Sequence, residues 1–160
     1  MSRTLSFFGL LIMLIGAAKP AAADLTAFVG STQSLSERTA TGVAIGLSLA
    51  VIGFEFEYSN TSIDSPRGKA EMKSSMFNLL VQSPFPISRL QFYGTIGGGL
   101  YREELGRSRD TGLGSNMGAG VKVSLMEPIR LRLDYRSLRL GKQSPSRTIQ
   151  RFYAGLTLNF

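Results

Sequence analysis

From residue 24 to the C-terminus, apolar and polar side chains alternate with a period of two in block after block, the mark of β-strands with one apolar and one polar face. The last block is the cleanest. In Phe152-Tyr153-Ala154-Gly155-Leu156-Thr157-Leu158-Asn159-Phe160 the even-numbered positions are apolar, while Gly155, Thr157 and Asn159 share the other face. Leu131 to Arg136 and Phe54 to Tyr58 repeat the scheme with charges on the second face. Val43 to Leu49 and Met117 to Leu125 alternate apolar residues with small ones, and weaker alternation runs through Leu25 to Ser31, Ser75 to Gln82 and Leu90 to Tyr101. The pattern predicts eight strands.

The segments between them alternate in length. Residues near 32–40, 60–73, 102–114 and 139–149 read as long polar loops, and Ala50 to Gly53, Ser83 to Arg89 and Met126 to Pro128 as short turns containing Gly or Pro. Long and short connections in strict alternation describe an up-and-down meander whose two rims face different surroundings. No apolar stretch after residue 23 is long enough for a transmembrane helix, so if this chain sits in a membrane it must do so as a closed β-barrel.

The first 23 residues break the pattern. A basic start at Arg3, an apolar stretch from Leu5 to Ala18 and the small-residue run Ala21-Ala22-Ala23 before Asp24 have the layout of a secretory signal peptide. The stretch falls short of the ~20 residues that span a bilayer and is closed by Lys19-Pro20, so it does not read as an anchor. We expect residues 1–23 to be removed and residues 24–160 to form one barrel domain.

Which face of the strands looks inward follows from the charges. The less apolar face carries Glu55, Glu57, Lys122, Arg130, Arg132, Asp134 and Arg136. A soluble ligand-binding calyx would have an apolar interior, and burying these side chains there is very costly unless each is paired. The opposite arrangement, apolar outside and polar inside, is that of a transmembrane β-barrel. A soluble periplasmic barrel remains the alternative. Aromatic residues at strand ends (Phe28, Tyr58, Tyr101, Phe152, Phe160) suit an interfacial girdle, although Trp is absent.

Composition narrows the chemistry. The 160 residues include no Cys and no His, so thiol chemistry, disulfides, the commonest general base and the usual transition-metal ligand are all missing. No Ser can be activated by a His, which argues against hydrolytic activity of the Ser–His kind. Gly97-Gly98-Gly99 lacks the Lys and strand-to-helix context of a phosphate loop. No cofactor and no metal are expected.

The leader, the eight alternating strands and the C-terminal strand ending Leu156-Thr157-Leu158-Asn159-Phe160 resemble the small outer-membrane β-barrel superfamily of Gram-negative bacteria, the OmpA/OmpX-type transmembrane domain. The resemblance implies an integral outer-membrane protein with periplasmic termini and extracellular long loops. It also implies that Phe152, Ala154, Leu156, Leu158 and Phe160 form the signal read by the barrel-assembly machinery.

Strands three and seven lie opposite each other in such a barrel, so Glu55 and Glu57 should meet Arg130, Arg132, Asp134 and Arg136 across the lumen, with Lys122 nearby. Gly42, Gly46, Gly97, Gly99, Gly118, Gly120 and Gly155 on the inward faces leave room for that crossing. The network could be a gate or narrow solute pathway, or a filled core that stiffens the barrel. Eight strands enclose a lumen just wide enough for side chains, which favours the filled core.

The formal charge of +7 divides between leader, lumen and loops. Arg38, Arg67, Lys69, Lys73, Arg102, Arg107, Arg109, Arg139, Lys142 and Arg147 are expected in loops, either binding the phosphates of lipopolysaccharide or simply solvated. Their spread over separate loops of an exported chain argues against nucleic acid as a partner. A monomer with a structural or surface-interaction role is the reading; a small channel or hydrophobic-solute conduit is the alternative.

Overall fold

A computed structural model describes residues 22–33, 37–62, 71–105, 108–141 and 148–160. Expectations about the leader up to residue 21, and about Arg67, Lys69, Arg107, Lys142 and Arg147, lie outside these. The described chain is a closed barrel of eight antiparallel strands in sequence order. They are β1 (Ala22–Gln33), β2 (Glu37–Leu49), β3 (Ile52–Thr61), β4 (Glu71–Gln82), β5 (Leu90–Leu105), β6 (Ser108–Met126), β7 (Ile129–Arg139) and β8 (Thr148–Asn159). Each strand pairs with its sequence neighbours, and β1 closes the ring on β8 through the register Asp24↔Asn159 to Gln33↔Gln150.

Closure puts the start of β1, the end of β8 and the three short turns on one rim. There, Ala23 and Phe160 exchange backbone hydrogen bonds at 3.2 and 2.8 Å. The β2–β3 turn is held at Ala50, whose φ of 50° is left-handed, by a 3.0 Å bond from Gln82 Nε2 to the Ala50 carbonyl.

The expected loop at 102–114 is instead a strand pair. The β5–β6 ladder continues from Tyr101↔Gly112 to Leu105↔Ser108, making these the longest strands, at 16 and 19 residues. The sequence signal fails there for a physical reason. Once a hairpin projects beyond the apolar belt, water bathes both faces and the alternation that marks a half-buried strand disappears. Arg38, Lys73, Arg102, Arg109 and Arg139 accordingly stand on strands, and Arg38 is buried.

Sidedness follows the alternation. Val43, Ile45, Leu47, Phe54, Phe56, Phe77, Val81, Phe92, Ile96, Leu156 and Leu158 point outward and are exposed. On β8 the apolar row runs from Phe152 to Phe160, ~26 Å of strand at ~3.3 Å per residue, or ~20 Å along the axis at a tilt of ~40°, close to the ~25 Å apolar band of membrane barrels. Two of the aromatics assigned to a girdle face the other way. Phe28 is buried in the lumen, stacked on Tyr153 with centroids 4.2 Å apart, and Tyr101 is buried among apolar side chains. Tyr58, Phe152 and Phe160 are exposed outward. Nearness to a strand end sets depth, whereas the parity of the position sets the side, and parity decides here.

Candidate functional site

The lumen holds the unusual chemistry. Glu55 and Glu57 project inward from β3, and Arg132, Asp134 and Arg136 from β7, all at or below 2% exposure. Glu55 accepts from both guanidinium arms of Arg132, from Arg136 Nη2 at 2.8 Å and from Asn78 Nδ2 at 3.3 Å. Asp134 accepts from Arg136 Nε at 2.9 Å, from Arg132 Nη2 at 3.1 Å and from the Tyr93 hydroxyl. That hydroxyl in turn accepts from Arg132 Nε at 2.7 Å. Arg136 Nη1 lies 2.7 Å from Glu57 Oε2, and Arg151 donates to Glu57 and, at 2.7 Å, to Ser59 Oγ.

Three carboxylates therefore face three guanidiniums, and the cluster is neutral. That balance is what makes it tolerable, since a lone buried ion costs several kcal/mol (~3–5 when a partner is removed). Arg132 also lies over the Tyr93 ring, 4.8 Å from its centroid, and Arg151 over Phe28 at 5.4 Å. Space for these long side chains comes from glycine. A Cβ at Gly120 would clash with the Tyr93 hydroxyl, and one at Gly118 would come within 2.9 Å of Arg136 Cγ.

Two residues assigned to this network stand apart from it. Lys122 pairs with Asp24 at 2.5 Å, nearer the short-turn rim. Arg130 is half-buried at that rim and donates to Gln91 Oε1 at 3.3 Å. Both share the lumen face with Arg132, and Lys122, its cross-strand partner, lies 5.9 Å from the Tyr93 ring centroid, but each pairs with a residue other than Glu55. Tyr93, Arg151, Tyr153 and Asn78 join the cluster without having been singled out. Their signal was present in parity: Arg151 and Tyr153 continue the face of Gly155 and Thr157, Tyr93 follows outward Phe92, and Asn78 lies between outward Phe77 and Leu79.

The lumen is layered. Toward the long-loop rim the charges give way to an apolar plug of Met72, Met76, Tyr101, Leu138, Leu140 and Ile149. Toward the short-turn rim a cavity of about 280 Å³ opens between Asp24, Gln82, Phe85, Gln91, Lys122 and Arg130. Among the described residues no three acidic side chains converge as a metal-binding group. The arrangement is suited to filling and bracing the barrel.

A closed eight-stranded meander with an apolar exterior and an ion-paired interior defines a class, the fold of small outer-membrane β-barrels. Solved structures of that class align over nearly their whole length. The N-terminal β-barrel domain of Pseudomonas aeruginosa OprF matches with a TM-score of 0.71 at 14% identity, over 87% of this chain and 97% of that one. Neisserial surface protein A (NspA) matches with 0.71 at 18% identity, over 90% and 99%. The outer membrane enzyme PagL matches with 0.55 at 13% identity, over 84% and 98%. No protein-family model and no curated protein sequence matches the chain.

Proposed function

We propose that this chain is an integral outer-membrane β-barrel, a monomer with a structural or surface-interaction role whose lumen is closed by its own side chains. One observation carries the reading: the exterior is a belt of exposed Val, Ile, Leu and Phe, while the interior buries the ion-paired cluster of Glu55, Glu57 and Asp134 with Arg132, Arg136 and Arg151. A soluble monomer rarely exposes a contiguous apolar patch beyond a few hundred Å². Lipid satisfies the belt, and barrel closure satisfies the backbone.

On this reading residues 1–23 direct export, the termini and short turns are periplasmic, and the long-loop rim faces outward. Cleavage after Ala23 removes that residue's backbone bonds to Phe160 and leaves the ladder from Asp24↔Asn159 onward intact. Phe152, Ala154, Leu156, Leu158 and Phe160 all lie on the outward face of the β8 end, where assembly machinery could read them. A catalytic role is disfavoured by a sequence without His or Cys. Loss of acyl chains from lipopolysaccharide incubated with the purified protein would reverse that last point.

The decisive test combines fractionation with electrophoresis. The protein should stay with outer membranes through a carbonate wash and migrate faster unboiled than boiled. Release into the periplasmic fraction, or identical migration, overturns the proposal.

A further inference from the structure

On the outward face of β3 to β6 the register aligns side chains in rows that climb toward the long-loop rim. Phe56 and Phe77 lie in the apolar belt; the next row is Tyr58, Ser75, Leu100 and Leu113; above it come Asn60, Lys73, Arg102 and Thr111. Glu71, Glu104 and Arg109 form the row beyond. The chemistry thus changes from hydrocarbon to hydroxyl to cation within two steps.

Lys73 and Arg102 are direct cross-strand partners. Side chains so placed have Cβ atoms ~5 Å apart, and like charges there repel. The neighbouring acids compensate loosely: Glu71 Oε1 is 3.4 Å from Lys73 Nζ, and Glu104 Oε1 is 4.0 Å from Arg102 Nη1 and 3.8 Å from Arg109 Nε. Beside the two cations is a surface groove of about 240 Å³ bordered by Tyr58, Lys73, Ser75, Leu100, Tyr101, Arg102 and Thr111, with no carboxylate in its lining among the described residues. Apart from Leu100, each of these side chains carries a hydrogen-bond donor. Across the ring the described outward residues Ser31, Gln33, Thr39, Thr41, Thr148 and Gln150 are neutral, and Arg139 beside Thr148 is an exposed cation.

We propose that Lys73 and Arg102, with the hydroxyls of Tyr58, Ser75 and Thr111, form a binding site for the phosphomonoester of a phosphorylated membrane lipid. The site rests on the membrane-spanning reading, which places the row above Leu100 at headgroup depth. A phosphate between Lys73 and Arg102 relieves their repulsion, and Arg102 can engage it with two parallel N–H bonds. Acyl chains from the same lipid then lie along Phe56, Phe77 and Leu100.

Native mass spectrometry of the full chain in neutral detergent tests this, with bisphosphorylated lipid A, the same lipid stripped of both phosphates, and inorganic phosphate as probes. The phosphorylated lipid should bind at least about tenfold more tightly than the stripped one, a preference that Lys73→Ser with Arg102→Ser abolishes and Lys73→Arg keeps. Equal binding of the two lipids, or unchanged binding by the double variant, overturns the site. Displacement by equimolar inorganic phosphate also overturns it, because the groove would then be a soluble-anion site. The boiling shift and bilayer insertion are read on the same samples. A barrel that inserts but shows no phosphate preference sinks this site alone, whereas one that fails to insert sinks the membrane reading.

Discussion

Arg136 Nη1 and Glu57 Oε2 stand 2.7 Å apart across the lumen, joining β7 to β3 through the middle of the barrel. The two strands share no backbone ladder, so this contact and its neighbours brace the ring across its diameter.

Removing one member of the brace should cost more than removing a matched pair. Arg151→Met alone leaves Glu57 with one cation fewer in a site closed to water, and a loss of about 3–5 kcal/mol is expected in urea unfolding from detergent. Adding Glu57→Gln should recover part of that loss, with a coupling of at least ~1 kcal/mol in the double-mutant cycle. Strict additivity would show that the two residues do not act as a unit.

The lumen should not conduct. The charged layer and the plug of Met72, Met76, Tyr101 and Leu138 lie in series along one narrow path. Planar-bilayer recordings of the purified protein are therefore expected to stay at baseline. Stable steps, enlarged in Glu57→Ala, would favour the channel reading.

Two glycines on neighbouring strands should respond differently to the same methyl group. At Gly94, on the outward face, an added Cβ has its nearest neighbour 3.9 Å away, and Gly94→Ala should fold normally. At Gly120 the Cβ would clash with the Tyr93 hydroxyl and with the Leu133 carbonyl, so Gly120→Ala should weaken or abolish the heat-shifted folded band. Similar behaviour of the two variants would contradict the inward placement of Tyr93.

Charge on the outer face reports depth. Phe56→Arg, in the belt, should cost about 2–4 kcal/mol in lipid vesicles, and Asn60→Arg, two steps nearer the rim, about 1 or less. A soluble barrel would be indifferent to both, which makes the pair an independent check on the membrane reading.

In the sequence, parity was enough to determine the number of strands, the charges on one face their sidedness and the alternating connection lengths the up-and-down order, because an antiparallel strand between two unlike media must alternate. It also put Glu55, Glu57, Arg132, Asp134 and Arg136 on one face. It could not show how far the β5–β6 hairpin projects, since alternation vanishes where both faces meet water. Depth was equally hidden. Which cation meets which carboxylate depends on strand tilt and register around the ring, and those arise only on closure. Tertiary structure therefore decided that Arg151 reaches Glu57 while Arg130 turns to Gln91. The register of the β4–β5 hairpin stacks Lys73 against Arg102 above the belt.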